Sequence, residues 1–136
     1  KVFVVFRLSS FTRNMRNELR KSKKVYFYDN GIRNAIINNF SPLALRTDVG
    51  ALWENFIISE RKKHNEYRGI FVNSYFWRTY DQQEIDLIEE KDGVLHAFEI
   101  KWKENKKARL PASFASAYPQ HSFDVITPVN YLEYLE

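Results

Sequence analysis

Three features of this 136-residue sequence predict an α/β chain of the α+β kind, with helices packed on one mixed sheet. Two runs of strand character flank Asp92-Gly93, a dipeptide that favours a two-residue hairpin turn. Upstream, Val49, Leu52, Trp53, Phe56, Ile57 and Glu60 recur at helical spacing. Downstream, a helix of small residues gives way to a last apolar run. From residue 48 onward the order is helix, three strands, helix, strand.

Taken in order, residues 2–8 and 24–28 are rich in β-branched and aromatic residues and read as strands, joined by the polar, basic stretch from Ser9 to Ser22. Asp29-Asn30 caps a short helix through Ile37, and Ser41-Pro42-Leu43 marks a break. That break divides the chain into residues 1–42, an extension or the tail of an upstream module, and residues 43–136, the main domain. Thr47 or Asp48 can cap the longest helix, expected to run to about Lys63, where Arg61, Lys62 and Lys63 suit the negative end of the helix dipole. Ile70 to Thr79 reads as a strand whose Tyr75, Phe76 and Trp77 belong to the core rather than to a base-stacking surface. After the hairpin and a basic connection from Lys103 to Arg109, Pro111 opens a helix through Ala112, Phe114, Ala115 and Ala117, and residues 123–127 form the last strand.

With 44% hydrophobic residues the chain has apolar material for a packed core. No run approaches the roughly 18 apolar residues of a membrane span, so no membrane partner is expected. The absence of cysteine excludes disulfides and thiolate metal sites and suits a reducing, cytoplasmic interior. A first residue of Lys rather than Met suggests a piece of a longer protein. Charge is unevenly spread. Residues 1–47 carry ten Lys/Arg against Glu18 and Asp29, while residues 48–136 carry eleven against fifteen acids. The basic excess, with Arg13, Arg16, Arg20, Lys21, Lys23 and Lys24, is a candidate nucleic-acid surface, DNA in the first instance; a solvated face or an acidic partner domain is the plainer reading.

The hairpin carries the chemistry. If Asp92 and Gly93 are the two turn residues, Asp86 faces Glu99 and Glu84 faces Lys101. Facing Cβ atoms lie about 4.5–5.5 Å apart, and two carboxylates that close repel unless a proton or a cation lies between them. Strict alternation puts Ile85, Leu87, Phe98, Ile100 and Trp102 on one wholly apolar face. The opposite face carries Ile88, Leu95 and Ala97 near the turn and Glu84, Asp86, Glu99 and Lys101 at the far end. The bland alternative is a cross-strand ion pair between Glu84 and Lys101.

A Glu on the first helix, an Asp in the second strand and Glu-x-Lys in the third resemble the PD-(D/E)XK nuclease superfamily. More narrowly, Lys24-Val25-Tyr26-Phe27-Tyr28-Asp29-Asn30-Gly31, Arg46-Thr47-Asp48-Val49-Gly50-Ala51-Leu52-Trp53-Glu54-Asn55-Phe56, Tyr75-Phe76-Trp77-Arg78-Thr79 and Phe98-Glu99-Ile100-Lys101 resemble an uncharacterised C-terminal domain that follows an AAA-type ATPase module in many prokaryotic proteins. The resemblance implies a restriction-endonuclease-like αβββαβ core after a β-hairpin and short helix. It implies Mg²⁺ or Mn²⁺ held by Asp86, Glu99 and the Ile100 carbonyl, with Lys101 orienting or activating water and Glu54 as the helix carboxylate. Two departures stand out: Ile85, not Pro, precedes the Asp, and no Gly-x-x-x-x-Gly-Lys loop is present, so any ATP-binding module lies outside this fragment.

Other chemistries find little support. His64, His96 and His121 lack metal-ligand spacing, and His96, beside Phe98, reads as a hydrogen-bonded core histidine. There is no Gly-x-Ser-x-Gly elbow. Two expectations follow, a metal-dependent nuclease-like domain acting on DNA phosphodiesters, or an inactive module of the same fold that binds DNA or a partner.

Overall fold

The computed structural model describes residues 4–13, 16–37, 39–103 and 107–136. The start of the first expected strand and the middle of the basic connection lie outside the described residues. Strands β1 (Val5–Ser10), β2 (Lys23–Phe27), β3 (Asn73–Arg78), β4 (Glu84–Lys91), β5 (Val94–Ile100) and β6 (His121–Ile126) form one six-stranded sheet in the order β2-β1-β3-β4-β5-β6. β1 with β3 and β5 with β6 are parallel, and the other pairs are antiparallel. Helices α1 (Asn30–Ile37), α2 (Val49–Arg68) and α3 (Ala112–Ala117) complete the α+β fold. From α2 onward the order is the expected helix, three strands, helix, strand. The sheet is continuous through residues 1–42, which contribute β1 and β2.

Each face of the sheet buries its own core. On the α2 face, Leu8, Tyr26, Trp53, Ile57, Ile58, Phe76, Leu87, Phe98, Ile100 and Ile126 cluster. On the α3 face, Phe11, Trp77, Ile85, Ile88, Leu95, Ala97, Phe114 and Tyr118 cluster. Full burial of one such aliphatic or aromatic side chain contributes roughly 1.5–3 kcal/mol. Phe76 and Trp77 point to opposite faces and are both interior, as their reading as core residues requires.

Both faces also hold a buried carboxylate. Glu18 accepts hydrogen bonds from the Trp77 indole N–H (2.5 Å), the Tyr118 hydroxyl (2.7 Å) and the Arg13 amide (3.0 Å), which ties the β1–β2 connection to the α3 face. Glu89 takes a two-pronged bond from Arg61 on α2, both contacts at 2.8 Å, and a third from Asn65 at 3.3 Å. Arg61 also donates to the Tyr134 carbonyl at 2.5 Å, so one guanidinium fastens α2, β4 and the C-terminal turn together.

Two helix ends differ from expectation. Helix α2 continues past Lys63 to Arg68, because Gly69 supplies the left-handed residue (φ 64°) that stops it. There the Ile70 amide donates to the Asn65 carbonyl (2.9 Å) and the Gly69 amide to the Glu66 carbonyl (3.2 Å). The turn that follows delays β3 to Asn73 and leaves Phe71 exposed. At the other end Asp48 occupies the cap position, but its side chain does not cap. Its carboxylate instead binds Arg46 (2.7 and 2.8 Å) and Arg33 (3.0 Å), fastening α1 to the start of α2.

Replacing Arg61 with Met leaves Glu89 buried without its cation. The expected cost is about 3–5 kcal/mol, read as a lower urea midpoint with an unchanged slope.

Candidate acidic site at the β4–β5 hairpin

The hairpin register is the expected one. Lys91 pairs with Val94, Ile88 with Ala97 and Leu87 with Phe98, and both turn residues have positive φ (Asp92 52°, Gly93 79°), as a type I′ turn demands. Continued one step, that register sets Asp86 opposite Glu99. Strict alternation fails just there. β3 meets β4 through Tyr75–Ile88 on one side and Trp77–Ile85 on the other, so Asp86 and Leu87 together oppose Phe76. An extra residue of this kind is a β-bulge, which re-aims the side chains around it.

The bulge corrects the face assignment. Ile85 joins Trp77 in the core of the α3 face, while Leu87 stays on the α2 face. Asp86 turns toward α2, where its carboxylate meets Glu54, and its Oδ2 accepts the Ile100 amide at 2.8 Å. The side chain thus occupies the interstrand bonding position that main chain fills nearer the turn. The ion pair between Glu84 and Lys101, the bland alternative, does not form. Lys101 binds Glu99 at 3.0 Å, and Glu84 binds Lys24 (2.7 Å) and Arg78 (3.0 Å).

A chain of charged groups therefore runs Lys101, Glu99, Asp86, Glu54, Lys24, Glu84 and Arg78. All four residues read as catalytic, Glu54, Asp86, Glu99 and Lys101, fall on it. Two residues of β2 join them, Lys24 and Tyr26, which the sequence does not assign to the catalytic or metal set. Lys24, read as part of the basic surface, lies 3.9 Å from Glu54 as well as 2.7 Å from Glu84. The Tyr26 hydroxyl donates to Glu54 Oε2 at 2.9 Å. The signal available was the period of two in Lys24-Val25-Tyr26, with Val25 exposed and the other two turned inward. Next to Glu54, Asn55 binds the amide (2.8 Å) and carbonyl (2.9 Å) of Phe27, which holds α2 against β2.

The remaining basic residues lie elsewhere. Arg13 makes a two-pronged ion pair with Glu90, whereas Arg16, Arg20, Lys21 and Lys23 are exposed. His96 is half-buried, with Nδ1 2.8 Å from Ser122 Oγ.

Glu54, Asp86, Ile100 and Lys101 line a cleft of about 750 Å³, closed on the other side by Arg46, Thr47 and the first turn of α2. Its electrostatics are unusual for a stable core. Burial, and then the charge of Glu99, push the Asp86 carboxyl up to about 6. Burial, and then the charge of Asp86, push Glu54 up to about 7. Burial also raises the Tyr26 hydroxyl, and Glu54 raises it further. For Lys101, burial opposes the charged form, but the bond to Glu99 and the neighbouring carboxylates outweigh it, and the ammonium is held above its usual range.

These shifts set a sign. Carboxyl groups with raised pKa keep protons in the folded state that the unfolded chain has released. Their contribution is greatest below about pH 4 and is lost as pH rises through about 6–7. Without divalent cations, Asp86→Asn should therefore match wild type near pH 4 and exceed it by about 2 kcal/mol at pH 8. Paired melting curves across that range measure the difference. The groups around Asp86 that share in it are Glu99, Glu54, Lys101, Lys24, Glu84 and Tyr26.

Residues 49–131 match the model of a family described as a domain of unknown function (DUF4143), and residues 1–43 match a second domain of unknown function (DUF8612). Uncharacterized proteins of Mycobacterium bovis and Mycobacterium tuberculosis are each 31% identical over 100 residues, covering 72% of this chain and 22% of theirs. The chain thus spans about a fifth of the length of the curated relatives it matches. No solved structure matches. The first match takes in more than half of the chain and includes Glu54, Asp86, Glu99 and Lys101. The chain belongs to the DUF4143 family.

Proposed function

We propose that this is a nuclease-like domain of the PD-(D/E)XK type, cutting nucleic-acid phosphodiesters with a divalent cation and working in the cytoplasm beside an AAA-type ATPase module of its parent chain. The observation that carries the reading is the meeting of Asp86, Glu99 and Glu54, from three different elements, with Lys101 at the wall of one cleft. Carboxylates gathered at that cost to the fold are a mark of a functional site.

The donor set suits Mg²⁺ or Mn²⁺ in kind. Among the described residues no group of three or more His, Cys, Asp or Glu is arranged to hold a metal ion. Mg²⁺ commonly takes only one or two carboxylates and keeps several waters, so Asp86, Glu99 and the Ile100 carbonyl are a sufficient set. The repulsion that raises Asp86 is what a cation would relieve. A bound cation would supply Lewis acidity and a water of lowered pKa.

The chain's own groups have separable tasks. Lys101, held protonated by Glu99, is suited to receiving phosphate charge rather than to accepting a proton. Glu54, fixed by Tyr26 and adjacent to Asp86, is placed to orient water in the cleft. The first turn of α2, with no side-chain cap, turns the positive end of a 20-residue helix toward the same space, which favours an anion there. A second reading, an inactive module that binds nucleic acid or a partner, is favoured by the Glu99–Lys101 ion pair and the Asp86–Ile100 bond, which already occupy donor atoms.

Mn²⁺ should raise the melting temperature of wild type and leave Asp86→Asn unmoved, with nicking of plasmid DNA abolished in Lys101→Ala; equal nicking by mutant and wild type removes the cleavage reading. Reversing Arg16 and Arg20 to Glu should flatten the slope of log affinity for DNA against log salt by about 1 per lost phosphate contact. Arg13, held by Glu90, should contribute less to that slope.

A further inference from the structure

A second groove, of about 620 Å³, opens from the acidic cleft and shares Arg46, Val49 and Trp102 with it. Its character is different. Phe40, Leu43, Trp53, Phe56, Trp102 and Tyr131 make its walls apolar and aromatic. The rings form a connected array. Trp53 lies against Phe56 nearly parallel (5.7 Å, 28°) and meets Trp102 (5.5 Å, 63°) and Tyr131 (5.3 Å, 81°) edge to face. Trp102 follows Lys101 directly and is 38% exposed, an uncommon position for an indole that has a core within reach. The buried indole N–H of Trp53 has no hydrogen-bond partner among the described residues. Past Trp102 the chain is basic, with Lys103, Lys107 and Arg109 all exposed.

We propose that this groove is a nucleobase subsite, in which an unpaired base stacks on Trp102 while its backbone phosphates lie against Lys101 and Lys103. The inference rests on the nucleic-acid reading of the acidic cleft and narrows it to single-stranded substrate. Charge and continuity select this occupant. An aromatic platform that opens directly onto a cleft with cationic groups matches a ligand whose flat apolar parts and anionic parts alternate over one nucleotide. A base paired within a duplex stays stacked on its neighbours and cannot enter a side groove without being flipped out.

The test uses the whole chain in EDTA, so that no cleavage occurs, with fluorescein-labelled oligothymidylate of roughly 12 nucleotides and a duplex of equal length. Anisotropy should show Trp102→Ala weakening the single strand about tenfold and the duplex less than twofold, with Trp102→Phe restoring most of the loss. An oligomer of abasic sites should bind wild type about as weakly as Trp102→Ala binds the intact strand, and should not distinguish the two proteins. Equal affinity of wild type for intact and abasic strands overturns the proposal. So does an equal loss on single strand and duplex, a failure of wild type to bind oligothymidylate, or a dimer in sedimentation that Trp102→Ala dissolves. Failure of the cleavage reading shows separately: no Mn²⁺-dependent cutting of the oligothymidylate while the base-dependent, Trp102-dependent affinity persists.

Discussion

The bond from the Ile100 amide to the Asp86 carboxylate, at 2.8 Å, is the constraint on which the site depends. A buried amide must find an acceptor, and toward the turn of this hairpin the opposite strand provides it. At the open end the bulge at Asp86–Leu87 presents a side-chain oxygen instead. Two consequences follow from that exchange. Asp86 is held against the sheet, without the freedom to swing into solvent, and Glu99 on the neighbouring strand is left next to it. The carboxylate is therefore fixed both by a hydrogen bond that favours its charged form and by surroundings that oppose it.

The strands of residues 1–42 are part of the same construction. Helix α2 can bring Glu54 to Asp86 only if β2 holds its near side, and Asn55 does this by pairing with both main-chain groups of Phe27. Because β2 is an edge strand, that pairing also shields one residue of an otherwise open edge from other strands. Tyr26 and Lys24 then reach Glu54 from the same face of β2. Position, hydrogen bonding and charge at Glu54 are thus set by a strand about thirty residues earlier in the chain.

Much of this was legible in the sequence because it is local. The Asp92-Gly93 turn dictates a register, and helical spacing around Trp53 dictates which side of α2 is buried. The bulge was not legible. Nothing in Glu84-Ile85-Asp86-Leu87-Ile88 marks an extra residue, which shows only in the pairing with β3, where Phe76 alone opposes Asp86 and Leu87. The end of α2 is hidden from the sequence for a related reason. Three basic residues mark an end only if the turn beyond them lacks support, and Asn65 in that turn binds Glu89 on β4. Lys24 reads as a surface cation because charge counts carry no direction; only the folded arrangement shows its ammonium 2.7 Å from Glu84.

The three most buried carboxylates among the described residues give the strongest physical reason to regard the cleft as functional. Glu18 is surrounded by the donors Trp77, Tyr118 and the Arg13 amide. Glu89 has the guanidinium of Arg61, with an amide from Asn65. Each solves the burial problem in one of the ways available to a structural group, by neutral donors or by an opposite charge. Asp86 is buried too, yet apart from one amide its close neighbours are two further carboxylates, Glu54 and Glu99. Lys24 and Lys101 pair most closely with the flanking acids, Glu84 and Glu99, and Lys24 stands farther off, at 3.9 Å, from Glu54. A fold that supplies complete partners to two buried acids had the means to supply them to the third. That it places two more carboxylates there instead is accounted for if the missing positive charge arrives with a ligand.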